Sequence, residues 1–404
     1  MRHFLLLLFA FSALALTAQD EYTIDDRKAI KNYEVALQAF NARAYTDALR
    51  RLNDALARET DFIEAHLLKF EVYIEKGVFD KAEESLLQAL AIDPDFFPNG
   101  HFFLGELKFS NGDYTTAKVA YEKFLTYRRT NPNMQDEAGR KLTDCDFALD
   151  AMQNPVPFDP INLGPGVNTE HPEYFASLTT DDRTLIFTRR LPVGGTDSEQ
   201  EDFYRSEYKD AWHPAVPMED INTAGNEGAP FISPDGQLFF FVACADNIGS
   251  YGPDRKGYGS CDIFYSTKQG NRWSRPQNLG DNINSPHWET QPSFSSDGRT
   301  LYFVRGVKLR SGMVRQEDIW TSRLDDMGQW TQAERLSEVI NTPQKESSVL
   351  IHPDGQTLYF TSNGHPGMGG EDIYLSRKQE DGTWGTPVNL GYPLNTHGNE
   401  NSIT

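Results

Sequence analysis

The stretch Ser233–Phe241 reads SPDGQLFFF, and related stretches occur three more times in the second half of the chain. They are DDRTLIF from Asp181, SSDGRTLYF from Ser295 and HPDGQTLYF from His352. By subtraction, the copies lie 53, 62 and 57 residues apart when they are counted at Asp182, Asp235, Asp297 and Asp354. A period of this length is that of a supersecondary unit, and such units stack to bury a shared core. The stretch therefore predicts a repeat array.

The same order of signals surrounds each copy. Proline and aspartate favour a tight turn and glycine accepts positive φ, so we expect a structural role for the turn aspartates. An alternating strand follows the turn, a third strand starts with an aspartate before two hydrophobic residues, and a fourth begins at a tryptophan. An Asn-x4-Glu pair opens each repeat: Asn168/Glu173, Asn222/Glu227, Asn284/Glu289, Asn341/Glu346 and Asn395/Glu400. Four antiparallel strands joined in this way form one blade of a propeller.

These motifs resemble the WD-like repeats of TolB-type β-propellers, and the resemblance covers residues 161–404. It implies a β-propeller of four-stranded blades, with four complete blades plus a partial one. A strand of the last type is predicted at Ile161–Leu163, and a strand of the first type at Asn401–Thr404. We therefore expect an unclosed ring or the N-terminal portion of a longer protein.

Residues 25–152 show helical periodicity and a shorter repeat. Tyr45-Thr-Asp-Ala48, Phe79-Asp-Lys-Ala82 and Tyr114-Thr-Thr-Ala117 recur at intervals of 34 and 35 residues. The small residues let antiparallel helices approach closely. The pattern resembles the tetratricopeptide repeat family, most clearly over residues 63–96, and implies a solenoid of helical hairpins with a capping helix. The predicted fold class is thus multidomain, α then all-β, with a proline-rich linker at residues 153–160.

A helical solenoid of this kind offers a concave groove for a peptide or helix of another protein. The candidate groove residues, taken from the first helix of each pair, are Asn32, Lys69 and His101. For each of them a merely solvated surface position is the alternative.

The N-terminal sequence and the cysteines bear on the compartment. Residues 1–18 combine a basic start, an apolar run and small residues at the end, which predicts a cleavable secretory signal, with a signal anchor as the alternative. No later stretch is long and apolar enough to span a bilayer. Cys145, Cys244 and Cys261 are too few for a disulfide scaffold. Cys244 and Cys261 fall within one repeat and are either a pair or two free thiols.

The net charge of the chain argues against nucleic acid as a partner. The chain has 38 Lys and Arg against 59 Asp and Glu, which gives a net charge of −21. Such a field repels phosphate backbones, so nucleic acid is not expected to bind.

We found no motif that predicts catalysis, a cofactor or a metal centre. A nucleophile elbow of the G-x-S-x-G type is missing from the sequence. The five repeat glutamates would fall on one face and could hold a hard cation, but their pairing with asparagine favours hydrogen bonding within loops. The insertion at residues 245–260 interrupts the repeat, and Tyr251, Arg255 and Tyr258 in it are candidate contacts for a protein or glycan, with a flexible loop as the alternative.

The combination of a signal, tetratricopeptide repeats and a TolB-type propeller resembles OmpA-family envelope proteins of Bacteroidetes-like bacteria, including one architecture of the type IX secretion system. The resemblance implies a non-enzymatic periplasmic scaffold with protein partners at the groove and the propeller face, peripheral to the outer membrane. A peptidoglycan link would need a C-terminal domain that these residues lack. The alternative is a propeller that binds or processes envelope polysaccharide or peptide.

Overall fold

The computed structural model describes residues 22–194, 198–246, 248–309, 311 and 313–403. The predicted signal sequence at residues 1–18 therefore lies outside the described residues. The chain divides into two compact domains, Met1–Asp150 and Ala151–Thr404. They are called the helical domain and the strand domain below.

The helical domain consists of consecutive antiparallel helix pairs followed by one longer helix. Neighbouring pairs pack through small residues, since Ala48, Ala82 and Ala117 are completely buried. A Cβ atom added to Gly105 would lie 2.5 Å from the ring of Tyr121, so glycine is needed for this close approach. The described helices are α1 (Arg27–Asn41), α2 (Tyr45–Leu56), α3 (Ile63–Glu75), α4 (Phe79–Ile92), α5 (Asn99–Ser110), α6 (Tyr114–Leu125) and α7 (Pro132–Gln153).

The turns within the pairs share one backbone conformation. Gly77 and Gly112 adopt positive φ between the two helices of their pairs, and Arg43 takes the same place in the first pair with a φ of 58°. The side chain of Asp26 caps α1 by accepting hydrogen bonds from the backbone N–H groups of Lys28 and Ala29, each at 2.8 Å. Local turn chemistry thus sets where each helix begins and ends.

The strand domain contains four repeats, each with four antiparallel strands in sequence order. Repeat 1 contains β1 (Glu173–Leu178), β2 (Thr184–Pro192), β3 (Glu199–Glu207) and β4 (Val216–Pro217). Repeat 2 contains β5 (Asn226–Ile232), β6 (Leu238–Cys244), β7 (Cys261–Gln269) and β9 (Gln277–Asn278), with the short β8 (Arg272–Trp273) also paired to β7. Repeat 3 contains β10 (Trp288–Phe294), β11 (Thr300–Lys308), β12 (Val314–Arg323) and β13 (Glu334–Arg335). Repeat 4 contains β14 (Glu346–Ile351), β15 (Thr357–Ser362), β16 (Asp372–Arg377) and β17 (Val388–Asn389).

The Asp-Gly turns join the first and second strands of the repeats, and their aspartates bind the turn itself. Asp235 accepts a hydrogen bond from the Ser233 hydroxyl at 2.5 Å and another from the Gln237 N–H at 3.0 Å. These bonds hold the pKa of Asp235 below its ordinary value. The structural role predicted for this aspartate is confirmed, and Asp297 and Asp354 bind their turns in the same way.

The first repeat requires a correction. Its turn is bound by Asp181, which accepts hydrogen bonds from the Thr179 hydroxyl at 2.6 Å and the Arg183 N–H at 3.1 Å. Asp182 instead occupies the glycine position, with a φ of 57°. The alignment that matched Asp182 to Asp235 was therefore wrong by one residue, because aspartate can adopt the left-handed conformation that the turn usually obtains from glycine.

The repeat asparagines connect each third strand to the loop that leads into the next repeat. The side chain of Asn284 is buried, and its carbonyl oxygen accepts from the Ile263 N–H at 2.8 Å while its amide donates to the Ile263 carbonyl at 2.9 Å. The same pair of hydrogen bonds joins Asn222 to Phe203, Asn341 to Ile319 and Asn395 to Ile373. One side-chain amide thus continues the backbone pairing of the sheet.

We expect replacement of Asn284 by alanine to destabilise the strand domain by roughly 1–3 kcal/mol, because the buried N–H of Ile263 loses its partner, whereas the Ile263 carbonyl still accepts from the Leu279 N–H at 3.2 Å. All six tryptophans lie in the strand domain, so fluorescence-monitored urea unfolding of the whole chain measures this change. Asn168→Ala is the matched control, because that side chain is exposed. Equal effects of the two substitutions would contradict the proposed role of the amide.

Candidate functional site

The first helices of the helical domain share an acidic surface. Glu64, Glu71 and Glu75 follow one another along a single side of α3, since spacings of seven and four residues return to the same face of a helix. Glu34 of α1 and the ring of Tyr33 lie beside it, because the carboxylates of α3 perturb the nearby tyrosines. We call Glu34, Glu64, Glu71 and Glu75 the acidic face.

Few groups neutralise the acidic face. Glu64 accepts hydrogen bonds from the N–H of Thr23 at 3.0 Å and from its hydroxyl at 2.5 Å, and Glu75 accepts one from the Tyr45 hydroxyl at 3.2 Å. Among the residues that the structure describes, no lysine or arginine forms an ion pair with these four glutamates. The face therefore keeps a net negative charge.

Burial and neighbouring charge change the protonation of the acidic face. Desolvation, assisted by the charge of Glu75, raises the pKa of Glu71 to about 7. Desolvation and the charge of Glu64 also raise the pKa of Tyr33. At neutral pH the face thus contains one carboxyl group that is only partly ionised, and a cation placed beside it would favour the carboxylate.

Several acidic groups of the later helices are paired instead. Arg140 of α7 lies 2.6 Å from Glu137 and 3.1 Å from Asp144. Glu106 of α5 accepts a hydrogen bond from the Tyr121 hydroxyl at 2.6 Å, and the cation of Lys141 lowers its pKa against the larger effect of burial.

The three predicted groove residues lie away from the acidic face. Asn32 accepts a hydrogen bond from Arg51 of α2 at 3.4 Å, and Lys69 lies near His66 on another side of α3. His101 is buried, bonds to the Pro94 carbonyl at 2.8 Å and stacks on Tyr127. A position in a first helix does not by itself place a side chain in the groove, because successive residues turn by a hundred degrees. Their role in partner binding stays a prediction.

The insertion at residues 245–260 is closed by a disulfide between Cys244 and Cys261, which lie opposite each other on β6 and β7. The pairing decides between the two alternatives that the sequence left open. Cys145, by contrast, is a buried free thiol whose pKa burial raises to about 12.

Two of the three candidate contacts in this insertion point inward. Tyr251 is buried, and its hydroxyl donates to the Gly259 carbonyl at 2.5 Å. The Arg255 side chain is 4% exposed and forms an ion pair with Glu227 at 2.5 Å. Tyr258 is exposed. The structure therefore places Tyr251 and Arg255 inside the repeat as loop anchors and leaves Tyr258 at the surface.

The repeat glutamates are each held by their own loop. Glu227 accepts from the Thr223 N–H at 3.1 Å and from its hydroxyl at 2.6 Å, and the residue four positions earlier binds every other repeat glutamate in this way. Arg189 and Arg305 add ion pairs to Glu173 and Glu289 at 2.9 and 2.8 Å. The preference for loop hydrogen bonding is confirmed. Within the described residues no cluster of His, Cys, Asp and Glu is suited to a metal ion.

The first strands of all four repeats line a cavity of about 670 Å³ in the strand domain. Two residues after the glutamate that opens each of repeats 1 to 4, the backbone adopts positive φ and the strand register shifts, which is a β-bulge. Positive φ is uncommon for residues other than glycine, and such conformations cluster at binding sites. The four residues, all of which line the cavity, are Phe175, Ala229, Gln291 and Ser348.

Family comparison covers the helical domain. Residues 29–102 match one tetratricopeptide repeat family model, and residues 99–131 match a second. Residues 29–131 of the helical domain are therefore built of tetratricopeptide repeats. These repeats indicate a function in protein–protein interaction. No curated protein matches the chain. None of the described helices is long and apolar enough to cross a membrane.

Several solved structures resemble the helical part of the chain. The P58(IPK) TPR domain is 22% identical with a TM-score of 0.28, and the match covers 31% of this chain and 36% of that one. The Sgt2 TPR domain from Aspergillus fumigatus is 20% identical with a TM-score of 0.28, covering 36% and 97%. The second TPR domain of human RPAP3, in complex with an HSP70 peptide, is 18% identical with a TM-score of 0.26, covering 30% and 95%.

The raised pKa of Glu71 predicts a pH-dependent stability. Between its usual pKa and about 7, the unfolded state releases the proton first, so the helical domain loses stability as pH rises through this interval. We expect Glu71→Gln to stabilise the domain by roughly 1–3 kcal/mol at about pH 8 and to have little effect at about pH 4.

Urea unfolding followed by far-ultraviolet circular dichroism measures this difference, because the helices dominate that signal. Glu84→Gln is the control, since Glu84 is exposed on α4. A Glu71→Gln effect of the same size at both pH values would contradict the assignment.

Proposed function

We propose that the protein is a non-enzymatic scaffold of the bacterial periplasm, in which the helical domain binds one protein partner and the strand domain another. The acidic face is the observation that carries the proposal. It combines carboxylates without ion-pair partners and an exposed apolar residue, Leu37, on the first helices of tetratricopeptide repeats. Charge complementarity favours a partner segment rich in lysine and arginine.

The proposal includes a TolB-type propeller as the architecture of the strand domain. Support comes from the four repeats of four antiparallel strands and from the contacts between the first strands of successive repeats. Ile232 donates its N–H to the Ser177 hydroxyl at 3.1 Å, and Ile351 donates to Ser293 at 3.0 Å, so neighbouring repeats are joined near the cavity. A radial array of this kind presents broad faces for partners.

The acidic side chains of the repeats bind other groups of the fold, which supports a role of the protein in binding rather than in catalysis. The Asp-Gly aspartates bind their turns, and the repeat glutamates bind their loops and arginines. The carboxylates that recur most regularly thus stabilise the fold.

A second candidate function is the binding or processing of envelope polysaccharide or peptide in the cavity of the strand domain. The four bulged strands around a cavity of about 670 Å³ favour it, because this volume suits a small ligand or a peptide side chain. In that case the helical domain would dock the protein to its substrate.

We expect a photo-crosslinking amino acid at Leu67, between Glu64 and Glu71 on α3, to give discrete protein adducts in cell envelopes. The same group at Val119, which is 61% exposed on α6, is the position control. Glu34→Lys together with Glu75→Lys should remove the adducts at Leu67 because the face loses its negative charge, whereas Glu84→Lys should leave them. Identical adducts at both positions, or adducts that survive the charge reversal, would count against the acidic face as the binding surface.

The periplasmic location predicts a secreted protein with an oxidised disulfide. Disulfides persist in oxidising compartments and are rare in the cytosol. After expression in a Gram-negative bacterium, we expect the chain in the periplasmic fraction, with Cys244 and Cys261 protected from alkylation until a reductant is added. Deletion of residues 1–18 should retain the chain in the cytoplasm with both thiols reactive. Retention of the intact chain in the cytoplasm would contradict the proposed periplasmic location.

A further inference from the structure

The third strand of each repeat carries an aspartate that lies near the loop leading out of the repeat. In repeats 1, 2 and 4 a segment with N–H groups binds both this aspartate and a carbonyl of the loop, two residues before the next repeat glutamate. We call the two groups the strand aspartate and the loop carbonyl. The strand aspartates are Asp202, Asp262, Asp318 and Asp372, and the loop carbonyls belong to Gly225, His287, Gln344 and Gly398.

In repeat 1 a side-chain amide connects the two groups. The amide nitrogen of Gln200 lies 3.3 Å from the strand aspartate Asp202 and 3.3 Å from the loop carbonyl of Gly225. It also donates to the Thr223 carbonyl at 2.8 Å. A single carboxamide thus fills the space between the third strand and the loop.

In repeat 2 the backbone of the insertion fills this space. Gly259 donates its N–H to Asp262 at 3.1 Å, and Ser260 donates its N–H to the His287 carbonyl at 2.7 Å. A Cβ atom added to Gly259 would clash with the carbonyl oxygens of Ser285 and His287. The close approach of the insertion to the loop therefore requires glycine.

In repeat 4 the backbone of the corresponding insertion does the same. Met368 donates its N–H to Asp372, and Gly370 donates its N–H to the Gly398 carbonyl at 2.8 Å. Gly369 packs against the loop, where an added Cβ atom would clash with the Gly398 oxygen. Two insertions of different sequence thus bring a glycine and two N–H donors to the same place in their repeats.

Repeat 3 lacks this filling among the described residues. Gln316 corresponds to Gln200, since it lies two residues before the strand aspartate Asp318, but its side chain forms no hydrogen bond within the described ranges. Its backbone adopts a φ of 53°, which is uncommon for a residue other than glycine. In the part of the chain that the structure describes, no N–H group binds the Gln344 carbonyl, and the Asp318 carboxylate is bound by Arg335 alone, at 2.8 Å.

A cavity of about 380 Å³ lies at this position in repeat 3. It is lined by the strand aspartate, by Gln344 and by Trp320, together with Arg305 and Arg335. The Arg305 guanidinium lies 4.4 Å from the centre of the Trp320 ring and forms an ion pair with Glu289. Arg335 uses one N–H on the strand aspartate and has further N–H donors. The volume suits a small ligand or a short peptide segment.

The groups around the cavity decide which ligand fits. The carboxylate of Asp318 and the carbonyl of Gln344 are hydrogen-bond acceptors, so the ligand has to supply donors. Amide N–H groups supply them in each of the three filled repeats. A phosphate or a carboxylate would instead place a negative charge beside Asp318. A peptide backbone has both the N–H groups that the acceptors need and a carbonyl to which Arg335 can donate.

We propose that the cavity of repeat 3 binds a glycine-containing peptide segment, which takes the place of Gly259–Ser260 in repeat 2 and of Met368–Gly370 in repeat 4. One N–H of the peptide donates to Asp318, and a second donates to the Gln344 carbonyl. Arg335 donates to a carbonyl of the peptide, and the glycine lies against the loop because a larger residue would clash there. The inference rests on the proposed function in one respect, since it gives the strand domain a site for its partner.

The probe is a fluorescein-labelled peptide with the sequence of Pro366–Glu371, PGMGGE, which contains the filling segment of repeat 4. We expect saturable one-to-one binding to the whole protein in fluorescence anisotropy, with a dissociation constant below about 1 mM. Asp318→Ala should weaken binding about tenfold, because a hydrogen bond to a charged group is lost. Asp326→Ala is the matched control in the same repeat and should not change binding, since the Asp326 side chain is fully exposed.

A second peptide tests the glycine on the unchanged protein, so the result does not depend on whether Asp318→Ala folds. Alanine replaces the residue matching Gly369, and binding should weaken by about tenfold or more because the added Cβ meets the loop carbonyl. Absence of saturable binding by the parent peptide would overturn the proposal, as would equal binding of the alanine peptide or equal binding by the Asp318→Ala protein. None of these results would alter the adducts expected at Leu67, because that experiment examines the helical domain.

Discussion

The strand domain depends on one interaction, the double hydrogen bond between a repeat asparagine and the backbone of a third strand. Each asparagine lies in the loop between two repeats, so the bond fixes the end of one four-stranded unit and the start of the next. The backbone carbonyl also accepts from a second N–H, but loss of the amide would leave the backbone N–H of the third strand unsatisfied, which costs more than an ordinary hydrogen bond contributes. This cost explains why asparagine recurs at a position where no chemistry takes place.

The repeat glutamates and arginines extend the same loop structure. A glutamate binds the residue after the asparagine, and an arginine from the second strand or from the insertion neutralises the glutamate in three repeats. In repeat 4 the hydroxyl of Ser362 takes the place of the arginine, at 2.8 Å from Glu346. Burial raises the pKa of Glu227, Glu289 and Glu346, and the loop donors counteract it. The loops therefore hold buried carboxylates as parts of the fold.

Much of the fold could be predicted from short motifs, since the turn aspartates and the repeat glutamates form hydrogen bonds whose partners lie two to four residues away. The candidate site could not be predicted equally well. Asn32, Lys69 and His101 were chosen because they lie in first helices, without regard to the face of the helix on which they lie. The acidic face, in contrast, follows spacings of seven and four residues that are visible in the sequence of α3.

Tyr251 and Arg255 lie in an insertion, where surface exposure is the usual expectation, but they are buried because they bind Gly259 and Glu227. The bulged residues Phe175, Ala229, Gln291 and Ser348 share no side-chain chemistry, so only their position two residues after a repeat glutamate marks them in the sequence.

The sequence by itself determined the helical repeats, the strand repeats and the turn residues of repeats 2 to 4, because each depends on local periodicity or on groups a few residues apart. The tertiary structure alone decided that Cys244 and Cys261 pair, that Asp182 takes the place of a glycine, and that the glutamates of the acidic face form no ion pair among the described residues. It also decided that Asn168 is exposed while Asn284, Asn341 and Asn395 are buried. The physical reason is that the burial and the charge balance of a residue depend on which distant segments pack around it. A repeated motif has the same sequence whether or not such a segment covers it.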